Sequence, residues 1–315
     1  YFDLRALPAL CAQAPVVLTL HDAWLLAGHC AHSLDCERWE TGCGSCPYPD
    51  IYPAVRRDMT AYNWKRKKRI YSNSRLYAAA PSAWLLGRLR RSMLAPALAG
   101  AKVIPNGIDL SVFHPADKRQ ARESLGLPPD ADILLFAAQG GRNNPWKDYP
   151  TLAAATGLVS AAREGRKLLF IALGEEGPTG GGGRAETRSL PPQPPEAMAR
   201  FYRAADLYVH AARADTFPNV VIEALACGTP VAATAVGGIP EQVKGLDAHP
   251  TDEATGALVA PGDPTAMAAA IVRLLADRAL LGRLGANAAA DARRRFDLAA
   301  QAAAYLAWFK EMLHG

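Results

Sequence analysis

The sequence predicts an α/β protein whose core is a doubly wound parallel sheet. Short apolar strand candidates alternate with helical stretches through the second half of the chain, which is the pattern of a parallel sheet covered on both faces. At 315 residues the chain has room for two domains, each able to bury a core. Its 50% hydrophobic and 21% charged residues argue against a disordered protein, and no apolar run approaches the length of a membrane-spanning helix.

The second half supplies the strands of this sheet. Strand candidates lie at 133–138, 167–173, 206–210, 230–234 and 256–259, and helices are expected at 265–278, 280–295 and 301–313. Ligands of such sheets bind beyond the carboxyl ends of the strands. The loops expected at those ends are 140–147, 174–184, 211–218 and 235–241. We interpret the glycine run 180–183, which lacks the K-[ST] ending of a P-loop, as a flexible insertion.

The segment 211–241 is chemically the most informative. Asp215 and Glu223 flank the start of a short helix, and seven residues separate them. We expect Pro218 to open this helix and Gly228 to end it. The amino end of a helix offers unpaired N–H groups to an anion, and nearby carboxylates accept hydrogen bonds from sugar hydroxyls. The segment therefore predicts a place where a phosphate and a sugar are held together.

Four motifs resemble those of family 4 of the retaining glycosyltransferases, which have the two-domain GT-B fold. The segment 19–22, T-L-H-D, is similar to the family's histidine loop, and 102–109, K-V-I-P-N-G-I-D, is similar to its interdomain segment. The segment 145–152, P-W-K-D-Y-P-T-L, is similar to its lysine loop, and 215–223 resembles its E-x7-E region. The order along the chain is also that of the family. The resemblance implies the GT-B fold, in which two Rossmann-like domains face a cleft.

The resemblance also implies a domain organisation. It predicts a partial amino-terminal, acceptor-side domain over 1–115, a nucleotide-sugar-binding domain over 116–297, and a helix over 298–315 that crosses back to the first domain. We find three strand candidates before the junction, at 16–20, 76–81 and 102–105. Because a GT-B amino-terminal domain has earlier strands, we expect the chain to open partway through an incomplete first domain that lacks part of its acceptor pocket.

Roles for single residues follow from the same resemblance. The donor diphosphate would meet Lys147, with Arg142 as a looser match, while Glu223 would accept hydrogen bonds from the ribose hydroxyls. Asp215, where the family usually has glutamate, would accept from a sugar hydroxyl. The predicted catalytic residues are Asp215 together with His21 and Asp22, which would face the sugar across the cleft. Further donor-binding candidates are Phe217, Pro218, Asn219, Gly237 and Gly238.

These polar residues also have ordinary structural interpretations. A carboxylate such as Glu223 is favourable near the positive end of a helix, and Asp215 suits a turn. Lys147 could be a solvated loop lysine, and a lone histidine at a strand end, such as His21, is more often structural.

Cys30, Cys36, Cys43 and Cys46 form a separate cluster with the spacing C-x5-C-x6-C-x2-C. This spacing is compact enough for a structural zinc site with four thiolate ligands. Two disulfides and unligated thiols are the alternatives, and a cytosolic setting argues against stable disulfides. A subset of related glycosyltransferases looks similar here, which implies that the cluster stiffens a loop beside the cleft.

Positive charge is concentrated in residues 51–100, which hold eleven Lys or Arg and one acidic residue, a net charge of +10 against +5 for the whole chain. Trp64, Tyr71 and Tyr77 interleave with these cations. A basic face with aromatic residues suits an anionic membrane surface or an anionic acceptor, and a solvated helix face is the alternative. No nucleic-acid-binding motif accompanies the charge, so we expect no nucleic-acid partner.

Together these features predict a metal-independent retaining glycosyltransferase of the hexosyltransferase type, acting in polysaccharide or cell-envelope biosynthesis. Its partners would be a UDP- or GDP-sugar donor and a glycan or lipid-linked acceptor. No signal-peptide pattern follows Tyr1, which favours a cytoplasmic protein, and the basic segment suits peripheral contact with the inner face of the membrane. The enzyme alternative is a GT-B epimerase or phosphorylase, and the non-enzyme alternative is a zinc-stapled module that binds nucleotide sugar without turnover.

Overall fold

The computed structural model describes residues 2–140, 142, 144–163, 165–177 and 185–314, with His314 described by its backbone alone. The predicted insertion at 180–183 lies outside the described residues. The chain divides into two compact units, Tyr1–Asn106 with Gln301–Gly315, and Gly107–Ala300.

The second unit is built on a parallel sheet. Its described strands are β4 (Asp132–Ala137), β5 (Leu168–Leu173), β6 (Ala185–Leu190), β7 (Leu207–His210), β8 (Val231–Thr234) and β9 (Gly256–Val259). They lie side by side in the order β6-β5-β4-β7-β8-β9. This is the strand order of a Rossmann sheet, and the order reverses between β4 and β7. The predicted doubly wound α/β architecture is confirmed for this unit.

Helices cover both faces of that sheet. They are α5 (Lys118–Ser124), α6 (Tyr149–Ala162), α7 (Pro195–Ala204), α8 (Asn219–Ala226), α9 (Ile239–Gln242), α10 (Pro264–Ala276) and α11 (Arg278–Arg295). In β4, Ile133 and Leu135 enter one apolar core, while Leu134 and Phe136 enter the other. All four side chains are fully buried, because alternate residues of a strand point to opposite faces and both faces are covered.

Strand β6 was not predicted from the sequence. Its residues, A-E-T-R-S-L, lie at the edge of the sheet and pair only with β5 among the described strands. Most of them are half-buried, so the strand lacks the apolar run that identifies its neighbours. Polar, charged residues are common on edge strands because they discourage pairing with other chains.

The first unit contains a smaller parallel sheet. Its described elements are β1 (Val16–Thr19), β2 (Leu76–Ala80) and β3 (Leu98–Val103), with helices α1 (Leu7–Cys11), α2 (Arg38–Thr41), α3 (Thr60–Tyr71) and α4 (Ala83–Arg91). From residue 301 onward, α12 (Leu298–His314) belongs to this unit. Trp308 of α12 is 4% exposed and packs edge-on against Tyr77, with ring centroids 6.1 Å apart.

Residues 107–115 group with the second unit, although the predicted first domain, 1–115, includes them. Ile108 N–H donates to the carbonyl of Phe296 at 2.9 Å. The ring of Phe113 packs against that of Tyr202, with centroids 6.2 Å apart. Backbone pairing and core packing therefore fix this segment to the second unit.

Three aromatic residues of the basic segment 51–100, Trp64, Tyr71 and Tyr77, pack inward rather than lying exposed beside the cations. Trp64 and Tyr71 are 6% and 0% exposed, and Tyr77 packs against Trp308. The expectation that these aromatic rings share a surface with the cations is wrong, because the rings form part of the core while most of the cations point outward. Four cations of α3 are exposed, namely Lys65, Arg66, Lys68 and Arg69. In the described part of the chain no helix combines the length and apolar character needed to cross a bilayer.

Candidate functional site

Two loops meet where the strand order of the second unit reverses. The loop after β4 carries Lys147, and the loop after β7 carries Asp215. Arg213 N–H donates to the carbonyl of Trp146 at 2.8 Å, which joins the loops through their backbones. Because ligands of doubly wound sheets bind at such a switch point, beyond the carboxyl ends of the strands, this is the candidate site.

Lys147 and Asp215 form an ion pair between Nζ and Oδ2, and their side chains are 15% and 14% exposed. His210, the last residue of β7, is fully buried beside them. Its Nε2 lies 3.4 Å from Lys147 Nζ and 3.5 Å from Asp215 Oδ2. The structure thus brings two predicted residues together and adds a third that the sequence analysis did not name. Its position at the carboxyl end of a strand candidate was the available signal.

The charge states within this cluster follow from burial and pairing. Burial alone would raise the pKa of Asp215, but the ammonium of Lys147 holds that pKa well below its usual range. Burial and the nearby ammonium of Lys147 lower the pKa of His210 to about 4, although the carboxylate of Asp215 opposes this shift. At neutral pH the cluster therefore contains an ionised carboxylate and a neutral imidazole.

Glu223 lies on α8, which starts after Pro218 and stops before Gly228, whose φ is +77°. The hydroxyl of Tyr202 donates to Glu223 Oε2 at 2.9 Å. Burial raises the pKa of Glu223, and the hydrogen bond from Tyr202 opposes that shift. Tyr202, on α7, is a second residue that the sequence analysis did not name, because nothing in its local sequence links it to Glu223.

The glycine turn after β8 lies directly against the Asp215 loop. Gly238 N–H donates to the carbonyl of Asp215 at 3.3 Å. Gly237 has a φ of +57°, and a Cβ at this position would collide with the Asp215 carbonyl oxygen. Both the backbone conformation and the close approach require glycine here.

Three other predicted donor-binding residues lie in different environments within the second unit. Phe217 is 5% exposed and packs edge-on against Phe296, with ring centroids 5.8 Å apart, so its side chain belongs to the core. Arg142 N–H donates to Glu175 Oε2 at 3.0 Å, and its guanidinium lies against Gly177. Asn219 is the exposed first residue of α8. Donor-binding roles for these residues stay predictions.

His21 and Asp22 belong to the first unit, just beyond the carboxyl end of β1. His21 is exposed. Asp22 Oδ1 accepts a hydrogen bond from Trp24 N–H at 2.8 Å, so this carboxylate also stabilises the turn that follows the strand. Their catalytic roles stay predictions.

The four clustered cysteines line one small cavity together with His29. His29 Nε2 lies 3.2 Å from Cys46 Sγ, and its Nδ1 lies 3.0 Å from the carbonyl of Pro53. Burial raises the pKa of Cys30 to about 12. All six cysteines of the chain are free thiols in the structure. Among the described residues, no three His, Cys, Asp or Glu side chains are arranged to hold one metal ion.

A second cavity, of about 530 Å³, lies at the opposite edge of the sheet, beside the amino ends of the strands. Lys118, Arg122 and Arg278 line it, and each forms an ion pair with the buried carboxylate of Asp206. Because these cations are already paired, we interpret the cavity as part of a structural ion network. Functional sites in this class of sheet lie at the other edge.

Comparison with known proteins identifies the family of one part of the chain. Residues 134–277, which include Lys147, Asp215 and Glu223, match the model of the family described as glycosyl transferases group 1. This part of the chain belongs to the group 1 glycosyltransferases. The predicted relationship is therefore confirmed.

Two curated relatives of the chain are D-inositol 3-phosphate glycosyltransferases. The D-inositol 3-phosphate glycosyltransferase of Segniliparus rotundus is 37% identical over 223 residues, which are 68% of this chain and 47% of the relative. D-inositol 3-phosphate glycosyltransferase 2 of Catenulispora acidiphila is 40% identical over 214 residues, which are 63% of this chain and 47% of the relative. The chain spans about half the length of the curated relatives it matches.

Solved structures share the fold. Sucrose-phosphate synthase from Thermosynechococcus elongatus has a TM-score of 0.69 at 25% identity, covering 97% of this chain and 70% of that protein. HepE from Anabaena, solved in complex with UDP and glucose, has a TM-score of 0.66 at 19% identity, covering 98% of this chain and 76% of HepE. The predicted GT-B type of fold is confirmed by these likenesses.

Proposed function

We propose that this protein transfers a sugar from a nucleotide diphosphate sugar to a hydroxyl of a glycan or lipid-linked acceptor, with retention of configuration. The observation that carries the proposal is the Lys147–Asp215 pair at the switch point of a family-matched Rossmann sheet. Complexes of HepE with UDP and with UDP-glucose support a nucleotide-sugar donor of the UDP type, with GDP as the second choice. We further propose that the protein acts in the cytoplasm in cell-envelope biosynthesis, and the exposed cations of α3 support peripheral contact with an anionic membrane.

In this proposal three side chains contact different groups of the donor. Lys147 neutralises the diphosphate, Glu223 accepts hydrogen bonds from the ribose, and Asp215 accepts one from the sugar. Negative charge develops on the leaving diphosphate during transfer, so a preorganised ammonium and the N–H groups at the start of α8 lower the barrier. The proposal assigns no role to a catalytic metal.

Product analysis tests this function against its enzyme alternatives. The chain is incubated with UDP- and GDP-sugars and a mixture of acceptor glycans, and nucleoside diphosphate release is followed together with the sugar products. Transfer to a hydroxyl supports the proposal. An epimerised donor would indicate an epimerase, phosphate-dependent cleavage would indicate a phosphorylase, and binding without turnover would indicate a binding module.

Replacing Glu223 with glutamine should weaken nucleoside diphosphate binding by about 1.5 to 3 kcal/mol, because the amide keeps the shape but loses the charge that strengthens hydrogen bonds to ribose hydroxyls. Calorimetry on the 315-residue chain measures the change. Glu196→Gln, on an exposed residue of α7, is the matched control. Unchanged affinity in Glu223→Gln would remove the ribose assignment.

We also propose a structural zinc ion in the four-cysteine loop. The thiols face one cavity, and Gly28 N–H lies 3.3 Å from Cys43 Sγ, an approach that suits a metal-bound thiolate. Zinc binding would require the four cysteine side chains to move closer together and their thiols to lose their protons. Elemental analysis of the reduced protein should give near one equivalent, and Cys43→Ser should release it while Cys11→Ser should not. Metal-free protein with the same melting temperature would refute the site.

A further inference from the structure

We propose that His210 positions Lys147 for the donor diphosphate, accepting a hydrogen bond at Nε2 while Tyr208 holds the ring proton on Nδ1. This inference rests on the proposed function of the same site. It gives a role to a fully buried histidine that none of the four motifs includes.

The hydroxyl of Tyr208 decides the tautomer. Tyr208 and His210 are two residues apart on β7, so their side chains point to the same face of the sheet. Tyr208 OH donates to the carbonyl of Ala137 at 3.2 Å, and the same oxygen lies 3.2 Å from His210 Nδ1. A phenol has one hydroxyl proton, and the Tyr208 hydroxyl uses it in the hydrogen bond to the Ala137 carbonyl. His210 Nδ1 must therefore carry a proton and donate it to the Tyr208 oxygen.

Nε2 of a neutral imidazole with its proton on Nδ1 is an acceptor. Two polar atoms face it, Lys147 Nζ at 3.4 Å and Asp215 Oδ2 at 3.5 Å. The ionised carboxylate has no proton to give, so Lys147 is the donor. An ammonium has three protons, and here one goes to Asp215 and one to His210, which leaves the third for a ligand.

This arrangement matters once a donor is bound. In the proposed function Asp215 turns to a sugar hydroxyl and Lys147 turns to the diphosphate, so the pair between them loosens. His210 keeps its hydrogen bond to Lys147 during that exchange and thereby restricts the conformations of the flexible lysine side chain. Fixing a charged group before the reaction is one way in which enzymes lower the entropic part of a barrier. A neutral ring suits this task, because a protonated one would repel the ammonium.

Two substitutions separate positioning from packing. His210→Phe keeps the ring and removes the acceptor, whereas His210→Gln supplies an amide oxygen near the position of Nε2. Dissociation constants for UDP and GDP, and for uridine and guanosine, are measured by calorimetry on the 315-residue chain. We expect His210→Phe to weaken nucleoside diphosphate binding about tenfold, the value of one hydrogen bond to a charged group, and to leave nucleoside binding unchanged. His210→Gln should remain within about threefold of the parent. Equal losses for nucleoside and nucleoside diphosphate, or no rescue by glutamine, would overturn the inference.

The unaltered protein offers a check that does not depend on a variant folding. Nitrogen NMR of protein labelled at histidine should show His210 neutral at about pH 7 with its proton on Nδ1. A proton on Nε2 would refute the assigned tautomer and with it the inference.

Lys147→Met distinguishes a failed inference from a failed function. If Lys147→Met binds nucleoside diphosphate as the parent does, the donor site of the proposed function fails. If Lys147→Met loses affinity and His210→Phe does not, the donor site stands and only the positioning role is refuted.

Discussion

Replacing Lys147 with methionine is expected to lower the rate of sugar transfer by about a hundredfold to a thousandfold, the usual effect of removing one preorganised group that stabilises developing charge. Methionine keeps the length and apolar stem of lysine but removes the ammonium that would meet the diphosphate. The rate is measured as nucleoside diphosphate release at saturating donor, with thermal unfolding of each variant alongside.

Lys147→Met also leaves the buried carboxylate of Asp215 without its ion-pair partner, so this variant is expected to lose stability as well as activity. The double variant Lys147→Met/Asp215→Asn removes that unpaired charge, so a stability loss confined to the single variant belongs to the pair. Lys167→Met is the matched control, since Lys167 is 53% exposed and pairs with Glu186 at 3.0 Å elsewhere in the unit. A Lys147→Met protein that transfers sugar at the parental rate would contradict the role of Lys147.

Asp206→Asn should have the largest effect on stability, lowering the free energy of unfolding of the second unit by about 3 to 5 kcal/mol. Its carboxylate is 2% exposed and accepts hydrogen bonds from Arg122 Nη2 at 2.9 Å and from Ile133 N–H at 2.9 Å. Lys118 and Arg278 pair with it as well. The amide cannot balance these charges, so the 7% exposed side chain of Arg122 is left buried without a counter-charge. Urea denaturation measures the change, and Asp247→Asn, in an exposed pair with Arg273, should change it by less than about 1 kcal/mol.

The effect of Asp206 should depend on pH in a defined direction. Burial alone would raise the pKa of Asp206, but Lys118 and Arg122 outweigh it and lower that pKa below its usual value. A lowered folded-state pKa contributes stability above the unfolded-state value of about 4, and this stability is lost as pH falls through the folded-state pKa. The difference between parent and Asp206→Asn should therefore be full at neutral pH and shrink below about pH 4. A difference that grows on acidification would contradict the ion-pair assignment.

The strands of the second unit could be predicted because burial on both faces leaves a direct signal in the sequence. The predicted strand 133–138 is shifted by one residue from β4, and the predicted strand 167–173 begins one residue before β5. Strand β6 was not predicted because its position at the sheet edge depends on pairing with β5, and no local sequence pattern reveals that pairing. Trp64 and Tyr71 were misplaced for a similar reason: a helix with many cations on its outer face can still bury its aromatic residues.

The candidate site was predictable only where residues belong to a contiguous motif. Lys147, Asp215 and Glu223 stand in recognisable segments, and the fold brings the first two into contact across 68 residues of chain. Tyr202 and His210 have no such segment. Their roles depend on distances between separate elements, such as the 2.9 Å from Tyr202 OH to Glu223 Oε2. A sequence can predict the residue types of a site, but the partners that fix their charge and orientation come from the tertiary structure.

Hydrogen-exchange footprinting of the 315-residue chain with and without saturating UDP or GDP tests the location of the donor site most directly. The account predicts increased protection at the carboxyl edge of the second sheet, over 144–149, 211–223 and 236–241, and unchanged protection around Lys118 and Arg278. Protection that increases instead at the 530 Å³ cavity by Asp206, with the switch-point loops unaffected, would contradict it.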